Sequence, residues 1–146
     1  MCRGDLMNIL NRIVFIFIFV AGALYAQDCS YIKKIRSFDA LTEKDRFCMV
    51  QTLAAKINAV LPSQVDDNTV LSSLTPQGDR LLYHYDLDGS STQSKETLKK
   101  NTAKENCENH MLRNLLNIGV TLEYEYKSGN TLWTRFAIDK KICKQI

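Results

Sequence analysis

The stretch "VTLEYEYKSGNTLWTRFAI", residues Val120 to Ile138, carries the strongest fold signal in the chain. Apolar and polar residues alternate on both sides of the central segment "KSGN", which is the pattern of a β-hairpin. The alternation predicts two antiparallel strands with an apolar side that faces a core. That side bears Val120, Leu122, Tyr124 and Tyr126 on the first strand and Leu132, Thr134, Phe136 and Ile138 on the second.

The register of this hairpin depends on the length of its loop. Directly opposed residues of an antiparallel pair share a face, so a three-residue loop, Ser128-Gly129-Asn130, keeps the two apolar sets together. A two-residue loop, Gly129-Asn130, would set Tyr126 against Trp133 and mix the faces. The three-residue loop is therefore predicted. It places three pairs opposite each other: Tyr126–Leu132, Glu125–Trp133 and Glu123–Arg135.

The residues before this hairpin predict two helices and a second hairpin. In "TEKDRFCMVQTLAAKINAVLP", Thr42 suits a helix N-cap and Pro62 a stop. The strands "NTVLSSL" and "RLLYHYDL" then flank the turn "TPQGD". A long helix is predicted from about Ser94 to Asn117, where Gly119 suits a C-terminal cap. The first helix buries Phe47, Val50, Ala54, Ile57 and Leu61, and the second Cys107, Met111, Leu112, Leu115, Leu116 and Ile118.

The predicted order is α-β-β-α-β-β, which defines an α+β fold. Two β-hairpins would form an antiparallel sheet, with the helices packed on one of its faces. Residues 42–146 would make up this single domain, and residues 27–41 an N-terminal arm or short helix. Tyr83, Tyr85, Tyr124 and Tyr126 are predicted on the inner face, as core residues whose hydroxyl groups reach the rim.

The N-terminal segment has the pattern of a secretory signal. Ile13 to Leu24 is a run of twelve apolar residues, shorter than the roughly 20 that a membrane span needs but typical of a signal peptide core. Arg12 precedes the run, and the small residue Ala26 follows it. Residues 1–26 are therefore predicted to be a cleaved signal peptide, and the mature protein to be periplasmic or secreted without a stable membrane anchor. A retained anchor is the alternative.

The cysteines support an oxidising compartment. Cys29 lacks the small preceding residues of a lipidation site, so it is interpreted as structural. With Cys48, Cys107 and Cys143 it makes an even set in the mature chain, which predicts two disulfides. Three pairings are open, and Cys29–Cys48 with Cys107–Cys143 is favoured, because each would tie a terminal segment to a neighbouring helix. A zinc site is disfavoured, since no C-x-x-C motif is present.

Composition argues against several classes of function. The predicted mature chain has 120 residues, enough for one domain, with 17 basic and 15 acidic side chains. This balanced charge gives no electrostatic case for binding nucleic acid or a membrane surface.

Motifs for catalysis are missing from the sequence. The segment "DLDGSS" fails as a calcium loop, because counting from Asp86 places Gly89 at position 4 and Thr97 at position 12. No G-x-S-x-G, phosphate loop or H-E-x-x-H occurs. The sequence therefore predicts no enzyme, no cofactor and no metal; an enzyme would need His84 or His110 in a pocket with a carboxylate.

Trp133 is the candidate partner contact. The predicted register places it on the outer face of the hairpin, beside Glu125 and near Arg135. Exposed tryptophans among charged residues often contribute strongly to protein interfaces. A cross-strand pair that only covers the hairpin is the simpler alternative.

Three segments resemble a known family: "LPSQVDDNTVLSSLTPQGDRLLYHYDL", "CENHMLRNLLNIGVTLEYEYKSGN" and the closing "IC". They are similar to small exported α/β proteins of Gram-negative bacteria, the quorum-sensing-regulated virulence factor family. The resemblance covers about Thr42 to Cys143 and implies a fold similar to AspS-type pilotins of type II secretion. Pilotins escort secretin subunits and normally carry a lipid on the first mature cysteine, for which this chain lacks the signal.

The leading hypothesis is a non-enzymatic binding or accessory protein of the bacterial envelope. Its partner would be an envelope protein or peptide, and the resemblance implies a secretin, held in a groove or at a sheet edge. The alternative is an inhibitor or immunity protein that blocks a periplasmic hydrolase or toxin.

Overall fold

The computed structural model describes Cys29, residues 41–89 and residues 93–145. The predicted signal peptide and the predicted short helix before residue 41 lie outside these residues. The chain divides into two compact units, Met1–Ser30 and Tyr31–Ile146, and every element described below belongs to the second. None of the helices in the described residues combines the length and the apolarity that a membrane span requires.

The described part of the second unit contains three helices and a five-stranded sheet of order β1-β2-β3-β4-β5. Neighbouring strands are antiparallel except β3 and β4, which are parallel. The α+β class is confirmed, with one strand more than predicted. The elements in chain order are α1 (Glu43–Asn58), β1 (Ser63–Asp66), β2 (Thr69–Gln77), β3 (Arg80–Leu87), α2 (Lys95–Glu108), α3 (His110–Asn117), β4 (Thr121–Ser128), β5 (Thr131–Ile138) and a 3-10 turn (Ile142–Lys144).

The parallel β3–β4 pair follows from the connection between the two strands. A hairpin loop can join only antiparallel neighbours, whereas a parallel pair needs a crossover of a dozen or more residues. Helices α2 and α3 supply this crossover, so β4 starts again beside the start of β3. The two predicted hairpins are thus joined side by side into one sheet.

Helix α1 begins where the sequence predicts. The Thr42 hydroxyl accepts a hydrogen bond from the Asp45 backbone N–H at 3.2 Å, and the Asp45 carboxylate accepts one from the Thr42 N–H at 2.8 Å. This reciprocal capping box satisfies two of the N–H groups that every helix start leaves open. At the other end, the Asn58 side chain makes two 2.8 Å hydrogen bonds with the backbone of Leu74 and fixes α1 to β2.

The single long helix predicted for residues 94–117 is wrong, because the helix breaks at Asn109. This residue has extended backbone angles, φ −70° and ψ 117°. Its side-chain oxygen accepts hydrogen bonds from the N–H groups of Met111 and Leu112 at 3.0 and 3.1 Å, so it caps the new helix α3. The break leaves Met111 56% exposed, although the predicted stripe buries it.

The register predicted for the second hairpin is also wrong. The loop is the two-residue Gly129-Asn130, flanked by the pair Ser128 and Thr131. The faces still do not mix, because a bulge next to Tyr126 adds one residue, Trp133, to β5. The pairs beyond the bulge are Tyr126–Thr134, Glu125–Arg135, Tyr124–Phe136 and Leu122–Ile138.

One hydrophobic core joins the helices to the tyrosine-bearing face of the sheet, and the predicted Cys107–Cys143 disulfide braces it. Cys107 in α2 bonds Cys143 in the 3-10 turn, across a sequence separation of 36 residues. Cys29 and Cys48 are disulfide-bonded as well. The core contains Val50, Ala54, Leu74, Leu81, Tyr83, Ala103, Leu115, Leu116, Val120, Leu122, Tyr124, Tyr126 and Ile138.

Candidate functional site

A groove of about 690 Å³ lies between the sheet and helices α2 and α3. We call it the tyrosine groove, because Tyr83 and Tyr85 of β3 and Tyr124 and Tyr126 of β4 line it together. It crosses the strands, since its lining extends from Asp66 of β1 at one edge of the sheet to Trp133 of β5 at the other. Its volume is within the usual range of ligand-binding pockets.

The tyrosines form an ordered stack because of the parallel strand pair. The β3–β4 register sets Tyr83 beside Tyr124 and Tyr85 beside Tyr126. Ring centroids are 5.0 Å apart in the first pair and 4.6 Å in the second, with interplanar angles of 12° and 9°. Each such pair contributes about 0.5–1.5 kcal/mol beyond its buried area.

Polar side chains of α2 meet the tyrosine hydroxyl groups. Asn106 Nδ2 donates a hydrogen bond to the Tyr124 hydroxyl oxygen at 2.6 Å. Thr102 forms a side-chain hydrogen bond with Tyr126, one turn earlier on the same helix. Asn106 and Thr102 are buried, so α2 is fixed to the sheet through polar contacts as well as through Ala103 in the core.

The four tyrosines of the groove have raised pKa values, and nearby carboxylates contribute to the rise for Tyr85 and Tyr126. Burial raises the pKa of Tyr83 to about 12. The pKa of Tyr126 is also raised to about 12, mainly by burial; the Thr102 hydrogen bond opposes this, while the charges of Glu105 and Asp66 add to it. Burial is likewise the main cause of the raised pKa values of Tyr85 and Tyr124. Tyrosine is neutral at pH 7 in any case, and the raised pKa values keep these four hydroxyl groups protonated at higher pH than usual.

Trp133 lies in the tyrosine groove and not on the outer face where the sequence predicts it. Its ring meets Tyr126 edge-on, with centroids 6.3 Å apart and an interplanar angle of 78°. The Lys95 ammonium lies 5.7 Å from the Trp133 ring centroid, at cation–π distance. The cause is the bulge in β5, which turns Trp133 to the inner face and leaves its neighbour Leu132 52% exposed.

Glu125 and Arg135 do lie on the other face of the sheet, in an ion-pair network without Trp133. Arg135 contacts Glu123 at 2.9 Å and Glu125 at 3.5 Å, and Lys127 lies 2.8 Å from Glu125. The Lys127 hydrogen bond is the main cause that lowers the pKa of Glu125. The predicted trio of contact residues is therefore divided between the two faces.

His84 meets a carboxylate on this same face. Its Nδ1 lies 3.0 Å from a Glu125 oxygen, and its Nε2 lies 2.8 Å from the Thr75 hydroxyl oxygen. The order hydroxyl, imidazole, carboxylate is that of the nucleophile, the general base and the carboxylate that orients the base in a catalytic triad. However, His84 lines neither the tyrosine groove nor a smaller cavity of about 210 Å³ near Asn68 and Gly89. The contact with Glu125 makes His84 a member of the ion-pair network.

No protein-family model and no curated protein matches this sequence. Three solved structures have a similar fold, which confirms the expected similarity to AspS-type pilotins. A predicted secreted protein of Pseudomonas aeruginosa has a TM-score of 0.64 and 18% identity, over 71% of this chain and 97% of that chain. The type II secretion pilotin EpsS of Vibrio vulnificus has a TM-score of 0.64 and 15% identity, over 69% of this chain and 94% of that chain. The type II secretion pilotin AspS of Vibrio cholerae has a TM-score of 0.61 and 13% identity, over 69% of this chain and 94% of that chain.

Proposed function

We propose that this protein is a non-catalytic accessory protein of the Gram-negative envelope, which binds a peptide segment of another envelope protein in the tyrosine groove. The observation that carries the proposal is the groove itself, a preformed aromatic channel on a fold that is similar to two type II secretion pilotins. The partner proposed is a secretion subunit such as a secretin. Membership in the quorum-sensing-regulated virulence factor family is part of the same proposal.

The dimensions of the tyrosine groove support a peptide as its ligand. Its lining spans all five strands, and strands lie about 4.8 Å apart, so the channel is roughly 19 Å long. A helix rises about 1.5 Å per residue and is about 10 Å wide, so three to four turns would match this length, with only one face of the helix inside the groove. Short extended segments would fit as well. Amphipathic helices that lie in grooves are a common mode of peptide recognition.

The chemistry of the lining also suits binding. Tyrosine supplies a large contact area with few rotatable bonds, which keeps the entropy cost of binding low. The four hydroxyl groups are protonated and the rings are fixed by stacking, so the surface is organised before a partner arrives. Trp133 is proposed as a partner contact from within the groove, whereas Glu125 and Arg135 are not part of this surface.

The disulfides fit the compartment that the proposal requires. Cys107–Cys143 and the bonded Cys29 and Cys48 are typical of proteins outside the reducing cytoplasm. In the proposed pathway the signal peptide is cleaved after Ala26, and the mature protein acts without a lipid anchor in the periplasm.

Site-specific photo-crosslinking in living cells tests the proposal. A benzophenone amino acid replaces Trp133 in one tagged full-length protein and Leu132 in another. These neighbours make a matched pair, because Trp133 lines the groove and Leu132 pairs with Lys127 on the other face. We expect a crosslink to a secretion or other envelope subunit from position 133 and not from position 132. Crosslinks from position 132 alone would contradict the proposal, and a single hydrolase or toxin would favour the inhibitor alternative.

A further inference from the structure

The charged side chains that line the tyrosine groove are all acidic. Asp66 comes from β1, and Glu105 and Glu108 come from α2. No lysine, arginine or histidine is present among the described residues of the lining. The whole chain has 19 basic and 16 acidic residues, so this bias does not follow from composition. A partner that enters the groove therefore meets three acidic side chains along the lining, and the Lys95 ammonium beside Trp133.

Two of these carboxylates have no ion-pair partner among the described residues. Glu108 lies 3.9 Å from the Lys104 ammonium, one turn away on the same helix. Asp66 and Glu105 make no such contact within the described part, although Asp66 accepts a hydrogen bond from the Asn68 backbone N–H at 2.9 Å. Two uncompensated carboxylates that share one groove repel each other weakly, and an incoming cation relieves that repulsion.

Both carboxylates act on the same point of the groove floor. The charges of Glu105 and Asp66 each contribute to the raised pKa of Tyr126, after the larger effect of burial. Glu105 also contributes to the raised pKa of Tyr85. Asp66 of β1 and Glu105 of α2 therefore line the same groove and are both within electrostatic range of the Tyr126 hydroxyl.

We infer that the tyrosine groove selects a partner segment with an arginine, whose guanidinium binds between Asp66 and Glu105 against the tyrosine stack. The inference rests on the proposed function and adds the chemistry of the partner. A guanidinium is planar, binds carboxylates through two hydrogen bonds and stacks on aromatic rings, and it loses hydration more readily than an ammonium. The chain itself provides an example of a cation at this surface, since the Lys95 ammonium lies over Trp133.

Peptide selection tests this inference directly. A library of random twelve-residue peptides displayed on phage is selected on the full mature protein, on the variant Asp66→Asn/Glu105→Gln, and on the control Asp86→Asn/Glu96→Gln. The control also removes one aspartate and one glutamate, but at exposed positions outside the groove. Asparagine at position 66 keeps a side-chain oxygen for the Asn68 N–H, and circular dichroism verifies that each variant is folded.

The expected result is enrichment of arginine on the wild-type and control proteins and loss of that enrichment on the groove variant. A selected peptide is then compared with its citrulline analogue, which keeps the shape but lacks the charge. Fluorescence of Trp133, the one tryptophan of the chain, reports binding. We expect the citrulline peptide to bind roughly tenfold more weakly or worse, as for the loss of one charge-assisted hydrogen bond.

Failure of the arginine inference and failure of the proposed peptide binding give different results. Enriched peptides without arginine, or equal binding of the citrulline analogue, would overturn the inference and leave the proposed peptide binding intact. Equal loss of binding in the control variant would also overturn it, because the effect would then come from overall charge. No enriched peptide on any of the three proteins would argue against the proposed function itself, together with an absence of crosslinks from position 133.

Discussion

Replacing Tyr124 by phenylalanine removes one hydroxyl group and leaves the ring stack intact. This hydroxyl accepts the 2.6 Å hydrogen bond from Asn106 and is one of the polar links between α2 and the sheet. Asn106 is only 3% exposed, so water does not readily replace the lost acceptor. A buried donor left without its partner costs about 1–3 kcal/mol. Tyr124→Phe should therefore lower the free energy of unfolding by about that amount.

Tyr83→Phe is the matched control. The two rings stack on each other, and the Tyr83 hydroxyl makes no hydrogen bond with any residue in the described part of the chain. Its removal leaves no donor unsatisfied, so Tyr83→Phe should not lower the free energy of unfolding. The difference between the two variants isolates the hydrogen bond from the change in hydrophobicity that both share.

Urea unfolding followed by Trp133 fluorescence measures both variants on the same scale. Asn106→Leu and the double variant complete a thermodynamic cycle, in which we expect a coupling energy of about 1–2 kcal/mol between Asn106 and Tyr124. Equal losses in Tyr124→Phe and Tyr83→Phe, or additive single variants in the cycle, would refute the reasoning. In that case the packing of Ala103, not the hydrogen bond, would hold α2 on the sheet.

Two further predictions concern the disulfide and the phenols. Replacing Cys107 and Cys143 together by serine should cost about 4 kcal/mol, from the chain entropy of a loop of 36 residues; a loss below about 1 kcal/mol in denaturant unfolding would contradict this. Stability should also fall as the pH rises above 10. The unfolded state then releases phenol protons that Tyr83 and Tyr126 retain up to about 12. Tyrosinate absorbance of the folded protein, together with the urea midpoint as a function of pH, measures the effect.

Local features of this fold were predictable from the sequence. The start of α1 depends on Thr42 and Asp45, three residues apart, and the rule for a capping box needs no knowledge of the rest of the chain. The tyrosine face of β3 and β4 follows from period-two alternation and is confirmed by the observed stack. In both cases the interacting residues are close in sequence or share one strand.

Features that depend on distant contacts were not predictable in this way. Strand β1, Ser63–Asp66, is exposed along its whole length and shows no alternation, so nothing in its pattern marks a strand. The break at Asn109 needed a choice between helix continuation and side-chain capping, and helical periodicity alone favoured continuation. The parallel β3–β4 pair depends on where the crossover returns the chain, which neither hairpin specifies by itself.

The tyrosine groove was missed for a related reason. A one-residue bulge decides whether Trp133 or Leu132 faces the helices, and the flanking sequence fits either register. The partners of the tyrosine hydroxyl groups, Thr102 and Asn106, lie on a helix whose composition is largely polar and gave no sign of burial. A search for periodic apolar residues does not detect buried polar residues, so it could not identify the α2 side chains that face the groove.

The binding specificity that we propose depends on side chains and not on the fold. The similar structures share the fold at 13 to 18% identity, so the fold alone does not determine which side chains line the groove. The bulge turns Trp133 into the groove, and the crossover sets the tyrosines in register. Asp66 and Glu105 add negative charge to that surface. A relative with the same fold but a neutral or basic lining should not select the same segment. Exchanging the charges at Asp66 and Glu105 thus tests function where the comparison of folds cannot.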